Sequence, residues 1–322
     1  MSKPYLVGKY LYAKALSRFK PVWSVGPEYL QLDTNSGKCN NRCIYCNVHP
    51  EAAYGTEPRD MPAAVFHDAL AATHSFRHIL RGVACWMNGD PILEPRLDEM
   101  HDAVRRHGYY GIVDSNGTIP SRVESLMHPA VRTIRISLSA HTPELYRLIH
   151  GTDSYEKVLE TLKYIRAFKQ PHQRLYINHM VCRQNVDHIQ DFLETFKKYT
   201  VQLFPLHSSP LQQNSLDNLA AVEKTTRVHP DGTIDDMHAK PRRHMPCQCW
   251  NMLGIGPGGE IMHCIDYPAE YNYGTIYDRP LLEAWNKRNA VGVQHPLCQE
   301  CSLLFPEWRD AEDLEERWRQ LR

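Results

Sequence analysis

The sequence lacks an excess of charge of either sign: its 37 Lys and Arg are matched by 37 Asp and Glu over 322 residues. Proteins that coat DNA or RNA carry a basic excess, so no nucleic-acid partner is expected. It also lacks any apolar run of the ~18 residues that a membrane-spanning helix needs, so no membrane partner is expected. Lys3, Lys9, Lys14, Arg18 and Lys20 stand near the start, but the apolar residues among them are interrupted and no small-residue cleavage site follows. No secretory signal is read there, and the expected compartment is the cytoplasm. Internal repeats are missing too. With 42% hydrophobic and 23% charged residues, the composition is that of a globular chain, long enough for one large domain or two modest ones.

Cysteine is plentiful. Ten occur, and in a reducing compartment that many serve more often as metal ligands or reactive thiols than as disulfides. Cys39, Cys43 and Cys46 stand close together, while Cys247, Cys249, Cys264, Cys298 and Cys301 form a second group far along the chain. Two metal centres are expected. Cys85 and Cys182 lie alone in apolar runs and read as core residues.

Between residues 29 and 207, short β-branched or apolar runs alternate with helical patterns. The runs are Tyr29–Asp33, His78–Trp86, Gly111–Ser115, Thr133–Ser139, Leu175–Cys182 and Val201–Leu206. Helices are predicted over Ala63–Thr73, Arg96–His107, Ser121–Met127, Tyr155–Phe168 and Val186–Lys198. This alternation predicts a parallel sheet with helical crossovers. Six units are too few for a closed eight-fold barrel, so the expected fold is α/β, a partial (β/α)6 barrel with its chemistry at the carboxyl ends of the strands. Residues 1–28 read as an N-terminal extension, 208–246 as a loop-rich connector, 247–305 as a small cysteine-bearing domain, and 306–322 as a terminal amphipathic helix with Leu314, Trp318 and Leu321 at helical spacing.

Cys39-Asn40-Asn41-Arg42-Cys43-Ile44-Tyr45-Cys46 is a C-x3-C-x2-C set shortly after the first strand. Thiolates are the preferred ligands of iron–sulfur clusters, and three on one loop can hold three irons of a [4Fe–4S] cube while leaving the fourth open. The alternative is a zinc knuckle completed by His49. Met87-Asn88-Gly89-Asp90-Pro91 follows the second strand, Ser115-Asn116-Gly117 the third, and Ser137-Leu138-Ser139-Ala140 stands at the fourth. In this order and spacing, residues 29–207 resemble the radical SAM superfamily. The resemblance implies that S-adenosylmethionine (SAM) binds the open iron and is cleaved to a 5′-deoxyadenosyl radical. It further implies that the Tyr45 backbone meets adenine, that Asn88, Gly89 and Asp90 meet the amino group, and that Asn116 and Ser137 lie near the ribose and carboxylate. The family usually has Gly-Gly-Glu-Pro where this chain has Asn-Gly-Asp-Pro, so Asp90 needs a closer approach.

The second group can be written Cys247-x11-Gly259-x4-Cys264 or Cys249-x9-Gly259-x4-Cys264, followed by Cys298-Gln299-Glu300-Cys301. Pro257-Gly258-Gly259-Glu260 reads as a hairpin turn. The pattern is similar to the short auxiliary-cluster (twitch or SPASM-like) domain of radical SAM proteins, implying a second [4Fe–4S] cluster; a structural zinc site is the alternative. Five cysteines compete for four ligand places. The resemblance favours Cys247, Cys264, Cys298 and Cys301 as ligands, with Cys249 as an additional thiol in a domain expected to cap the barrel mouth; the reverse assignment stays open.

A thiol there points to epimerisation, the radical outcome that needs a protein hydrogen-atom donor, and Cys249 is the candidate catalytic residue. The alternatives are a dehydrogenase of a cyclitol or sugar alcohol, and a non-catalytic module holding two zinc ions. The resemblance extends to epimerases of aminoglycosides, which implies a small-molecule aminoglycoside substrate and an electron donor such as flavodoxin or ferredoxin. Only 38 residues precede Cys39, which disfavours a leader-peptide-binding domain and hence a ribosomal-peptide substrate. A polycationic sugar calls for carboxylates nearby, with Asp33, Asp114, Glu57 and Asp266 as candidates.

Overall fold

The computed structural model describes residues 3–46, 48, 57–205, 226–236, 245–247, 249–265, 272–299, 301, 304–305, 308–309 and 311–320. Most of the expected connector lies outside them. Six strands form a parallel body: β1 (Tyr29–Leu32), β4 (Gly82–Ala84), β5 (Tyr110–Ser115), β6 (Val131–Ser137), β7 (Arg174–Val181) and β8 (Thr200–Pro205). Each overlaps a run predicted from the sequence. They lie in the order β8-β7-β6-β5-β4-β1, every pair parallel. Between β1 and β4, the short strands β2 (Asn35–Ser36) and β3 (Arg59–Asp60) pair antiparallel as a separate ribbon.

The crossovers contain α2 (Ala63–Ala72), α3 (Leu97–Arg106), α4 (Val123–Leu126), α6 (Tyr155–Phe168) and α7 (Ile189–Thr195). Helical spacing does the packing: α3 buries Leu97, Met100, His101, Ala103 and Val104 along one face. Two further helices, α1 (Lys3–Leu16) and α5 (Pro143–His150), were not anticipated. For α5 the local signals are complete: Thr142 caps the Leu145 N–H, Pro143 opens the first turn, and Gly151 ends it at φ +69°.

The sheet does not stop at the barrel. Beyond β8 come β9 (Thr226–Val228) and β10 (Ile234–Asp236), both antiparallel to their neighbours. Beyond β1 comes β11 (Met252–Ile255), parallel to it, then β12 (Glu260–Met262) and β13 (Asn272–Thr275), antiparallel, making eleven strands in all. The hairpin turn read before Glu260 is present, with Gly259 at φ +87°. The cysteine-bearing segment is therefore built onto the β1 edge, whose unpaired backbone would otherwise be open to other chains. It shares one hydrophobic core with the barrel: Trp250, Trp285 and Trp308 cluster with Val83 and Ile134. Trp285 lies on α8 (Leu281–Val291) and donates to the Trp23 carbonyl at 2.7 Å. After α9 (Pro296–Gln299), the terminal helix α10 covers Leu314–Gln320, shorter than expected, with Leu314 and Trp318 buried and Leu321 outside the described residues. Cys85 and Cys182 are core residues, 1% and 0% exposed. Among the described residues no helix is long and apolar enough to cross a membrane.

Candidate active site

The loop bearing the first three cysteines leaves β2 and is laid across the end of α5. The N–H groups of Arg42 and Ile44 donate to the carbonyls of His150 and Ile149, each at 2.9 Å. Gly151 permits this approach, since a Cβ there would stand 2.6 Å from the Arg42 carbonyl oxygen. The Cys46 N–H closes a turn on the Cys43 carbonyl at 3.0 Å. Burial, followed by the nearby Asp90 charge, pushes the Cys39 thiol up to about 12. Burial also raises Cys43 and Cys46, with repulsion from neighbouring thiols adding to the shift at Cys43. Left alone, all three stay protonated. A cation among them reverses that preference, and three soft sulfur donors on one loop suit the iron of a [4Fe–4S] cluster. The residues fit the group. His49, the proposed fourth ligand of the zinc alternative, lies outside the described residues.

The expected SAM-binding residues converge on this loop. Asn88 donates to both oxygens of Asp33, from its N–H at 2.9 Å and its Nδ2 at 3.0 Å. Gly89 runs against the chain so closely that a Cβ would stand 2.1 Å from the Asn35 carbonyl oxygen. Asp90 is 6% exposed and holds three donors: Ile92 N–H at 3.0 Å, Ser115 Oγ at 2.7 Å and Asn116 N–H at 2.7 Å. Burial raises its carboxyl and those donors oppose the shift. Asp90 thus ties the ends of β4 and β5 together. Asn116 in turn points Nδ2 at Asn40 Oδ1, 2.7 Å away, and toward Cys39 Sγ at 3.6 Å. Ser137 ends β6 half-buried. The hydroxyl that meets the cysteine loop is that of Ser139, 3.3 Å from Tyr45 Oη, and it also accepts from the Met180 N–H at 3.0 Å.

The second group divides. Cys247 forms a β-bridge with Leu304 and lies within electrostatic reach of Cys298 and Cys301; burial, followed by these thiols, pushes it up to about 12. Arg288, 3% exposed, faces Cys247, Cys264 and Cys298. It donates to the His263 and Trp250 carbonyls at 2.8 and 2.9 Å, and its guanidinium lies over the Trp250 and Trp285 rings. His263 Nε2 is 3.2 Å from Cys298 Sγ. Cys249 lines a cavity of about 1390 Å³ inside the barrel.

That cavity draws on all six parallel strands and runs from Tyr29 and Tyr110, where strands begin, to Trp86, just short of the Asn88 turn. Because β11 is parallel to β1, Cys249 enters at the end where the strands start. The segment was expected over the mouth; the register places it opposite. Of the four carboxylates suggested for a cationic substrate, only Asp114 lines the cavity, paired with Arg135. Asp33 is buried under Asn88, Glu57 is exposed elsewhere, and Asp266 lies outside the described residues. Arg81, Arg132, Arg135, Arg174 and Arg227 line it as well, against Glu28 and Asp114.

Sequence reading missed His150, His263 and Arg288, and within the Ser137–Ala140 motif it favoured Ser137 where Ser139 is the hydroxyl that meets the loop. His150 was within reach through the cap signals of α5; the others act through tertiary contacts that leave no local pattern.

Known proteins extend the picture. The tRNA 4-demethylwyosine synthase of Methanocaldococcus jannaschii is 25% identical over 197 residues, 53% of this chain and 61% of that protein. A probable GTP 3′,8-cyclase of Sulfurisphaera tokodaii is 24% identical over 216 residues, 64% of this chain and 66% of that protein. The chain thus spans less than two thirds of each. Among solved structures, Streptococcus suis SuiB bound to precursor peptide SuiA superposes with a TM-score of 0.61 at 15% identity, covering 94% of this chain and 76% of that one. BtrN in complex with AdoMet and 2-DOIA gives 0.51 at 13%, covering 89% and 96%. These likenesses establish the fold. The signature of the Radical SAM superfamily matches residues 36–196, which take in the cysteine loop and most of the parallel strands. On that match the chain belongs to the radical SAM superfamily.

Proposed function

We propose that the protein is an epimerase that inverts one carbon of an aminoglycoside, turning neomycin C into neomycin B. SAM and a [4Fe–4S] cluster come with the family; when bound and reduced by a donor such as flavodoxin or ferredoxin, they supply the 5′-deoxyadenosyl radical that removes the substrate hydrogen. Cys39, Cys43 and Cys46 would hold that cluster, and SAM would bind beside them, where Asp90 and Asn116 meet the loop. Cys247, Cys264, Cys298 and Cys301 would hold a second [4Fe–4S] cluster.

The observation that carries the reading is the position of Cys249. It lines the cavity at the end opposite the first cysteine loop. A carbon stripped of hydrogen from the SAM side can receive one from Cys249 on the other face: the S–H bond breaks, a C–H bond forms, and Sγ is left a thiyl radical, which one electron from the flavodoxin or ferredoxin donor and one proton from solvent would return to the thiol. A dehydrogenase would need no such thiol. Cys249→Ala is expected to cleave SAM when substrate is present and to yield no epimer, while the wild-type enzyme in D₂O places one deuterium at the inverted carbon. Normal epimer from Cys249→Ala would remove Cys249 from the reaction. A product two mass units lighter would indicate a dehydrogenase, and stoichiometric zinc in place of iron would sink both enzyme readings.

The arginines of the lining favour one variation, a substrate bearing acidic or phosphate groups in place of a polycation. Competition between neomycin C and an anionic sugar phosphate for the SAM-loaded protein separates the two.

A further inference from the structure

His150 closes α5, 0% exposed, between the first cysteine loop and the end of β6. Its Nε2 is 3.0 Å from the backbone N–H of Ser139. A backbone N–H can only donate, so Nε2 accepts, and the proton of the neutral ring sits on Nδ1. That Nδ1 is 3.2 Å from Cys43 Sγ. The ring is stacked on Tyr146 with centroids 4.4 Å apart, which holds its orientation. Tyr146 Oη accepts in turn from Asn41 Nδ2 of the same loop at 3.1 Å.

We infer that His150 is a positioning residue for the radical-generating centre, committing its Nδ1–H to Cys43 Sγ and so raising that centre's reduction potential. The inference rests on Cys39, Cys43 and Cys46 being the cluster's ligands. Reduction adds one electron, and its charge is shared with the ligand sulfurs. A donor hydrogen bond to one of them stabilises the reduced state more than the oxidised one, which makes the electron easier to deliver. Packing alone does not account for this residue. A phenyl ring could stack on Tyr146, but only a group with an acceptor on one side and a donor on the other meets both the Ser139 N–H and the sulfur.

The test is an anaerobic redox titration of the reconstituted protein, followed through the paramagnetic signal that responds to SAM. At the potential where the wild-type centre is half reduced, His150→Phe should show a tenfold lower ratio of reduced to oxidised centre, a midpoint lower by about 59 mV for one electron. His150→Asn, whose amide N–H can stand where Nδ1 stands, should recover most of the difference. An unchanged midpoint in His150→Phe at full iron content would overturn the inference. Should that variant fail to take up iron, the ring nitrogens of ¹⁵N-histidine-labelled wild-type holoprotein decide: a proton on Nδ1 of His150 is expected, and one on Nε2 overturns it. Failure of the ligand reading looks different, since Cys39→Ala would then keep all its iron.

Discussion

Gly89 sits where the turn after β4 touches the segment leading into the first cysteine loop, and replacing it with alanine probes that contact directly. The new Cβ would stand 2.1 Å from the Asn35 carbonyl oxygen and 2.9 Å from its Oδ1. Ordinary contact begins at 3.4 Å, so the two segments must part by more than 1 Å. They cannot part without loss. Asn88 N–H and Nδ2 donate to Asp33, Gly37 N–H to the Asn88 carbonyl, Asn35 Nδ2 to the Asp90 carbonyl, and Asp90 N–H to the Lys38 carbonyl. Breaking two or three of these bonds at ~1 kcal/mol each gives a destabilisation of about 3 kcal/mol. The displacement also passes through Lys38 to Cys39 and through Asp90 to Asn116. SAM affinity is therefore expected to fall at least roughly tenfold, equivalent to about 1.4 kcal/mol. Denaturant unfolding and equilibrium SAM binding, on wild-type and Gly89→Ala protein matched for iron, measure the two effects. Stability within ~0.5 kcal/mol of wild type, with SAM affinity unchanged, would refute the steric argument.

Two further outcomes follow from buried charge. His101 is 0% exposed with no partner for either ring nitrogen among the described residues, and burial, then His128, lowers it from 6.5 to about 3. The unfolded chain binds the extra proton between those values, so stability is lost as pH falls from 6.5 toward 3, by up to ~1.4 kcal/mol per pH unit. His101→Leu should flatten that acid limb, and acid-unfolding curves of equal slope would contradict the assignment. Arg288→Met leaves the His263 and Trp250 carbonyls unmet and removes the positive charge that favours the thiolates of Cys247 and Cys298. Its expected effects are a loss of about 3 kcal/mol and of iron from the second group alone. Full iron content in that variant would show that the guanidinium is not needed there.

The six parallel strands were legible because branched runs such as Thr133–Ser139 have nowhere else to go. Helix α3 was legible from its spacing. Helix α5 was missed although Thr142, Pro143 and Gly151 spell out its ends, because eight residues make barely two turns, too few for an apolar period to stand out. The pairing of β11 with β1 left no local trace: Met252–Ile255 is four residues long, and its partner is Tyr29–Leu32. Asp90 was singled out from its place in the turn after the second strand, yet nothing local indicated that its carboxylate holds Ser115 and Asn116. Such contacts depend on which strand ends meet, and that is settled by the sheet as a whole.

The same pairing bears on chemistry. β1 is bordered by β4 on one side and β11 on the other, both parallel to it. The first cysteine loop follows the carboxyl end of β1, whereas Cys249 precedes the amino end of β11, so Cys249 lines the cavity at the end of the strands away from that loop. Trp250 fixes the division between neighbouring thiols. Its N–H donates to the Cys247 carbonyl at 3.3 Å, its ring lies under Arg288, and the Met252 N–H donates to the Cys249 carbonyl at 3.0 Å. One turn thus sends Cys247 toward Cys298 and Cys301 and leaves Cys249 on the cavity wall. Because the added strand runs parallel to β1, the segment that precedes it, Cys249 included, lies at the end where the strands begin, whereas an antiparallel strand in the same place would have set that segment at the end that carries the first cysteine loop.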